Sequence, residues 1–217
     1  MTTVTSSAII DLSTKRHHRS IETRQKLIAA GLVEFAAHGF DGTSTRTITA
    51  RAGVPSAALP FHFAAKEDLW KAAAERAFGE FHTRFGTMME TTVNHPVRAK
   101  AETLLVELVV FFAQRPELYR FMANGSKPCE RLDWLLHTHV RPMHEMFDSL
   151  LDELDADGVK LPIHREHLFH MFLGAATAPY ALARDFELHE GISPFDPEAV
   201  SRHARALIDA FLPDLQS

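Results

Sequence analysis

The sequence predicts an all-α protein, and three observations carry that expectation. Apolar residues recur at helical spacing through most of the chain, β-type alternation is absent, and the breaks fall at proline, glycine and asparagine. An N-terminal three-helix unit with a helix-turn-helix precedes a longer helical body. Residues 1–20 read as a flexible basic arm, 21–66 as the small head and 67–217 as the body.

Thr43 to Leu69 organises the head. Ser44 is placed to cap a short helix whose inner face carries Ile48 and Ala52. Ala52-Gly53-Val54 is a tight turn, and Leu59 and Phe63 give a second helix its apolar side. Before it, Leu27, Ile28, Leu32 and Phe35 recur at helical spacing and stop at Gly39-Phe40. By pattern alone this suits a helical hairpin as well as a DNA-reading unit.

Charge separates the two parts. Residues 1–66 carry a net +4 and residues 67–217 a net −9. A basic head on an acidic body is the footprint of nucleic-acid binding by one part of a chain. Lys15, Arg16 and Arg19, with His17 and His18 between them, cluster in the arm, as a solvated tail or a strap along phosphates. The lone Cys129 excludes an internal disulfide, and no membrane-length apolar run or signal-peptide pattern is present, so a cytoplasmic protein is expected.

The run from Thr23 to Leu69 resembles the N-terminal domain of the TetR family of bacterial transcriptional repressors. The likeness lies in the Thr-Arg start, Phe35-Ala-Ala-His-Gly-Phe40, Thr43 to Ile48, Ala52-Gly53-Val54, Leu59, Phe61-His62-Phe63 and Lys66-Glu67-Asp68-Leu69. It implies that Thr45 and Arg46 reach phosphate or base from the first motif helix. Ser56, Ala57, Pro60 and Phe61 would face the major groove, with Ala57 and Phe61 near thymine methyls. His62 and Lys66 would hold phosphates. Phe63 is expected in the core and Phe61 partly so. Pro55 replaces a common serine cap, so capping is expected to pass to Ser56. Pro60 replaces a common tyrosine near the fourth helical residue and removes its hydroxyl.

The body reads as helices over 67–91, 96–113, 116–122, 128–154, 164–188 and a final one holding Val200 to Phe211, with Pro142 kinking or dividing the fourth. In the fifth, Leu168, Met171, Ala175, Ala178 and Leu182 share one face. Phe169, Phe172, Leu173, Ala176 and Tyr180 share the next, so two sides need covering. The resemblance implies a homodimer through the last two helices, and Leu207 and Phe211 join Leu168, Met171, Ala175, Ala178 and Leu182 as its expected interface.

It also implies a small, largely apolar or aromatic effector among the body helices that releases a repressor from a palindromic DNA operator. Candidate contacts are Phe85, Met88, Phe112, Trp134, Phe169 and Phe172, with Asn124, His137, Arg141 and Tyr180 as polar ones. No cofactor is expected. His137, His139 and His144, or His164, His167 and His170, have spacings a metal can use, but no paired signature accompanies them and no metal is expected. Two rivals stand beside this reading: the same fold governed by a protein partner, and a His-dependent metal-binding helical enzyme. The absence of a phosphate loop, a nucleophile elbow or a zinc signature weighs against an enzyme.

Overall fold

The computed structural model describes residues 5–124 and 129–213, with side chains from residue 16 onward. Every element among them is helical, so the all-α expectation holds. The chain packs as two compact units, Met1–Arg76 and Ala77–Ser217.

In the first unit, α1 (Thr5–Gly42) is kinked at Gly39, whose φ of 69° suits a residue without Cβ. The segment expected as a flexible arm is therefore helical from Thr5, and residues 1–4 lie outside the described ones. Arg16, His17, His18 and Arg19 are exposed on it. Leu27, Ile28, Phe35 and Ala36 are buried, as are Ile48 of α2 (Thr45–Ala52) and Leu69, Trp70 and Ala73 of α4 (Lys66–Thr91). Gly31 allows close packing, because a Cβ there would lie 3.3 Å from Leu69 Cγ.

The second unit holds the rest of α4 with α5 (Val97–Gln114), α6 (Pro116–Asn124), α7 (Glu130–Leu135), α8 (Arg141–Ala156), α9 (Arg165–Ala181), α10 (Ala183–Glu190) and α11 (Pro197–Phe211). Gly125 and Pro128, expected to close one helix and open the next, lie outside the described residues. Helix α5 is central and packs against α6, α8, α9 and α11. Its Lys100 is 2% exposed and its ammonium donates to both carboxylate oxygens of Glu153 at 2.7 and 2.8 Å. Arg98 donates to the carbonyls of Leu212 and Pro213, closing the end of α11.

Two prolines reshape the body. Pro142 has no N–H and its ring crowds the carbonyl one turn back, so the chain widens into a π turn over Leu136–Val140, where Arg141 N–H reaches Leu136 O. Pro142 thus divides the predicted helix. Pro179 leaves the Ala175 carbonyl without its intrahelical donor, and His203 Nε2 of α11 lies 3.0 Å from that oxygen. The helix expected to reach Leu188 breaks at Leu182 (φ −107°, ψ 35°) into α9 and α10. The apolar spacing continues through the break and so conceals it.

Two outcomes follow for stability. Glu153→Ala lowers unfolding free energy by about 1–2 kcal/mol, less than loss of a fully buried pair because the Glu153 side chain is 41% exposed, while the pair Lys100→Met/Glu153→Leu stays near wild type in denaturant titrations. Burial, followed by the neighbouring His82, pushes the His139 pKa down to about 4, below its ordinary value. The unfolded chain then binds the proton more readily, so this group costs stability as pH falls from about 6.5 to about 4. A His139→Phe variant should lose less stability than wild type over that interval in thermal melts.

Candidate nucleic-acid interface and apolar cavity

The head is set from its backbone outward. Ser44 Oγ accepts the Thr47 N–H at 3.1 Å and so caps α2, as its sequence position suggests. Gly53, with φ 64° and ψ 33°, ends α2 in the left-handed conformation the turn requires. Thr45 and Arg46 are exposed on its first turn.

The second motif helix departs from expectation. Ser56 makes no capping bond; its hydroxyl meets Thr49 Oγ1 at 3.2 Å. Ser56–Ala58 is instead a 3-10 turn, followed by the one-turn α3 (Leu59–His62), with Pro60 in its first turn. Pro60 cannot donate to the Ser56 carbonyl, and Leu59 N–H takes that oxygen through the tighter ring. The missing donor is thereby absorbed without an orphaned acceptor.

Leu59 and Phe63 are buried at 6% and 4%, and the guanidinium of Arg24 lies 5.1 Å from the Phe63 ring centre. Ser56, Ala57 and Pro60 are exposed and His62 is half-buried. Phe61, expected partly in the core, is 86% exposed. The one-turn helix spends its two inward positions on Leu59 and Phe63 and leaves Phe61 in solvent. The outward positions therefore form one surface with no core role.

Lys66 is held in a way its sequence position did not suggest. Its ammonium donates to Phe40 O at 2.7 Å and Thr43 O at 2.9 Å and lies 4.2 Å from the centre of the Phe40 ring. Thr43 Oγ1 donates to Gly39 O and Glu34 O. Glu34, 6% exposed, accepts from Arg51 Nε at 2.5 Å and ties α1 to α2. Sequence reading missed Glu34, although a carboxylate inside Leu32-Val-Glu-Phe35 was a signal.

The body holds a partly open cavity of about 120 Å³ whose wall carries apolar side chains alone, from α4, α5, α8, α9, the end of α11 and the loop residue Leu161. Phe85, Phe169 and Phe172 are on it. Phe81, Phe85 and Met89 repeat every fourth residue of α4, which puts Met89, rather than Met88, on the wall. Phe112 is buried elsewhere in the core, and Trp134 meets the His139 ring edge-on at 5.2 Å. Asn124, His137 and Arg141 are exposed, Arg141 with Glu145 as its partner. Tyr180 is 1% exposed beside Phe195 and His203, and burial pushes its hydroxyl up to about 12. The polar candidates thus lie away from the cavity.

Of the residues expected at a dimer contact, Leu168 and Leu207 are buried within the single chain, and Leu168 and Phe211 are on the cavity wall. Ala175 is half-buried. Met171, Ala178 and Leu182 face outward, with Met171 50% and Leu182 61% exposed. Among the described residues no three metal-ligating side chains converge, and no helix is long and apolar enough to cross a membrane.

Comparison with known proteins agrees with this geometry. Residues 27–73 match the family described as bacterial regulatory proteins, tetR family. The chain is 43% identical over 192 residues to the HTH-type transcriptional dual regulator CecR of Shigella flexneri, covering 82% of this chain and 84% of that protein. Its fold is similar to AibR in complex with isovaleryl coenzyme A and operator DNA, at TM-score 0.68 and 13% identity, over 88% of this chain and 98% of that one. It is also similar to an HlyIIR mutant protein at TM-score 0.64 and 19% identity, over 88% of this chain and 97% of that one. The likeness is to transcriptional regulators, and the chain belongs to the TetR family.

Proposed function

We propose that this regulator acts as a homodimer whose heads, spanning residues 21–66, read the two halves of a palindromic operator. A small, largely apolar molecule in the cavity of the body beyond releases it. The observation that carries the reading is the division of the second motif helix, with Leu59 and Phe63 buried and Phe61 left in solvent. Phe61, 86% exposed, thereby offers an apolar contact on the same short turn as the exposed Ser56, Ala57 and Pro60.

On this reading Thr45, Arg46, Ser56, Ala57, Pro60, Phe61 and His62 form the DNA face. Arg46 offers a fork suited to guanine or phosphate, and Phe61 an apolar contact for a thymine methyl. Lys66 has two of its three donors on backbone carbonyls and one left for a phosphate, so its first duty is to hold the head together. Met171, Ala178 and Leu182 would meet the second copy, with Leu168, Ala175, Leu207 and Phe211 supporting them from within. Two copies give two heads, as a palindrome needs.

The cavity supports an apolar effector because a charged one would be buried there without a partner. Release then requires only that the ligand prefer the state that binds DNA less well. Because the relative CecR is a dual regulator, activation at some sites is a second outcome of the same DNA binding.

Selection of bound fragments from the genomic DNA around the coding gene, at near-physiological salt, should enrich a palindrome. Binding with no enriched sequence would contradict the specific-operator reading. Phe61→Ala should weaken the selected site about ten-fold in mobility shifts and relax preference at the base pair it touches, with the head still folded. Lys66→Ala should lower the melting temperature of the head, through two lost hydrogen bonds, and reduce the salt slope by at most about one.

A further inference from the structure

Two histidines neighbour residues of the cavity wall in the chain, one of them also by ring contact. His82 is on α4 between Phe81 and Phe85, which both line the cavity, and its ring meets that of Phe81 edge-on at 5.8 Å. His139 is in the π turn, four residues before Met143 on the same wall. Their ring centres are 6.3 Å apart, and Phe78 stacks on His139 at 4.9 Å. His139 is 8% exposed, and the Nε2 atoms of both rings are buried with no hydrogen-bond partner in the protein. A native core seldom leaves two such atoms side by side.

Burial lowers the pKa of both rings, so both are neutral at pH 7. His82 hydrogen-bonds the backbone of His139, and a neutral ring that donates through one nitrogen accepts through the other. The cavity wall itself carries no polar side chain, and these two unpartnered nitrogens are on residues that neighbour it in chain and in ring contact.

We propose that His82 and His139 form the polar end of the effector site, accepting a hydrogen bond from the hydroxyl of a small phenol or alcohol. The inference rests on the cavity being the effector site and names the ligand class. Neutral imidazoles among aromatic rings favour a neutral donor over a carboxylate, whose charge they would not offset. The cavity is on the scale that admits one aromatic ring. Phe81, whose ring meets that of His82, and Met143 are both on the cavity wall, and methionine repacks readily.

The test compares p-cresol with toluene by calorimetry on the full chain at pH 7. The wild type should bind p-cresol about five-fold more tightly than toluene, as one neutral hydrogen bond provides. In His82→Phe and His139→Phe that ratio should fall to about one, and His82→Gln, which keeps an acceptor, should recover part of it. His139→Phe should melt at or above the wild-type temperature, because an unpaired polar atom has been removed, so its loss of preference is not loss of fold; His82→Phe also gives up the bond to the His139 backbone, so its fold is checked by circular dichroism. Toluene binding without a wild-type preference for p-cresol, or a preference that survives both phenylalanine variants, overturns the histidine site and leaves the cavity reading standing. No binding of either probe overturns both.

Discussion

The side-chain hydrogen bonds to backbone carbonyls between Glu34 and Thr43 are the constraint on which the head depends. Thr43 takes those of Glu34 and Gly39, and Lys66 takes those of Phe40 and Thr43. Three segments meet there: the kink at Gly39, the start of α2 and the start of α4. With those fixed, the stretch between Gly53 and Phe63 has few ways to close. It does so by burying Leu59 and Phe63 and leaving the residues between them outside. The proposed DNA-facing surface is thus a by-product of a packing solution, which explains how it tolerates Pro55 and Pro60.

Proline has a parallel role in the body. Each interior proline removes one helical hydrogen bond, and the fold redirects the affected groups. At Pro60 a 3-10 bond takes the Ser56 carbonyl. At Pro142 the backbone widens into the π turn that carries His139. At Pro179 the released Ala175 carbonyl meets His203 from α11, fastening α11 to the helix whose outward Met171 and Ala178 belong to the proposed dimer surface. Of the histidines whose spacing suggested metal, His139, His144 and His170 meet aromatic rings.

Much of this was legible in the sequence because it follows from periodicity and chain punctuation. The Gly39 stop, the Ser44 cap, the Gly53 turn and the inward Ile48, Leu59 and Phe63 are all local, and local chemistry decides them. Phe61 was harder, since an aromatic residue next to buried neighbours gives no hint of its side until the helix is known to last one turn. The dual use of Lys66 depends on a partner 26 residues earlier, which no local pattern encodes. The cavity wall was only partly legible. Three aromatic residues were found, but distinguishing Met89 from Met88, or wall from plain core, requires the rotation of each helix. The helix break at Leu182 stayed hidden because its flanks keep one apolar rhythm.

We propose that one molecule couples an apolar cavity to DNA binding. The most direct test measures operator affinity of the purified dimer with and without a saturating apolar cavity ligand, and ligand affinity with and without operator. The account predicts that both weaken by the same factor, as linkage requires. A ligand that occupies the cavity while operator affinity stays constant would contradict it.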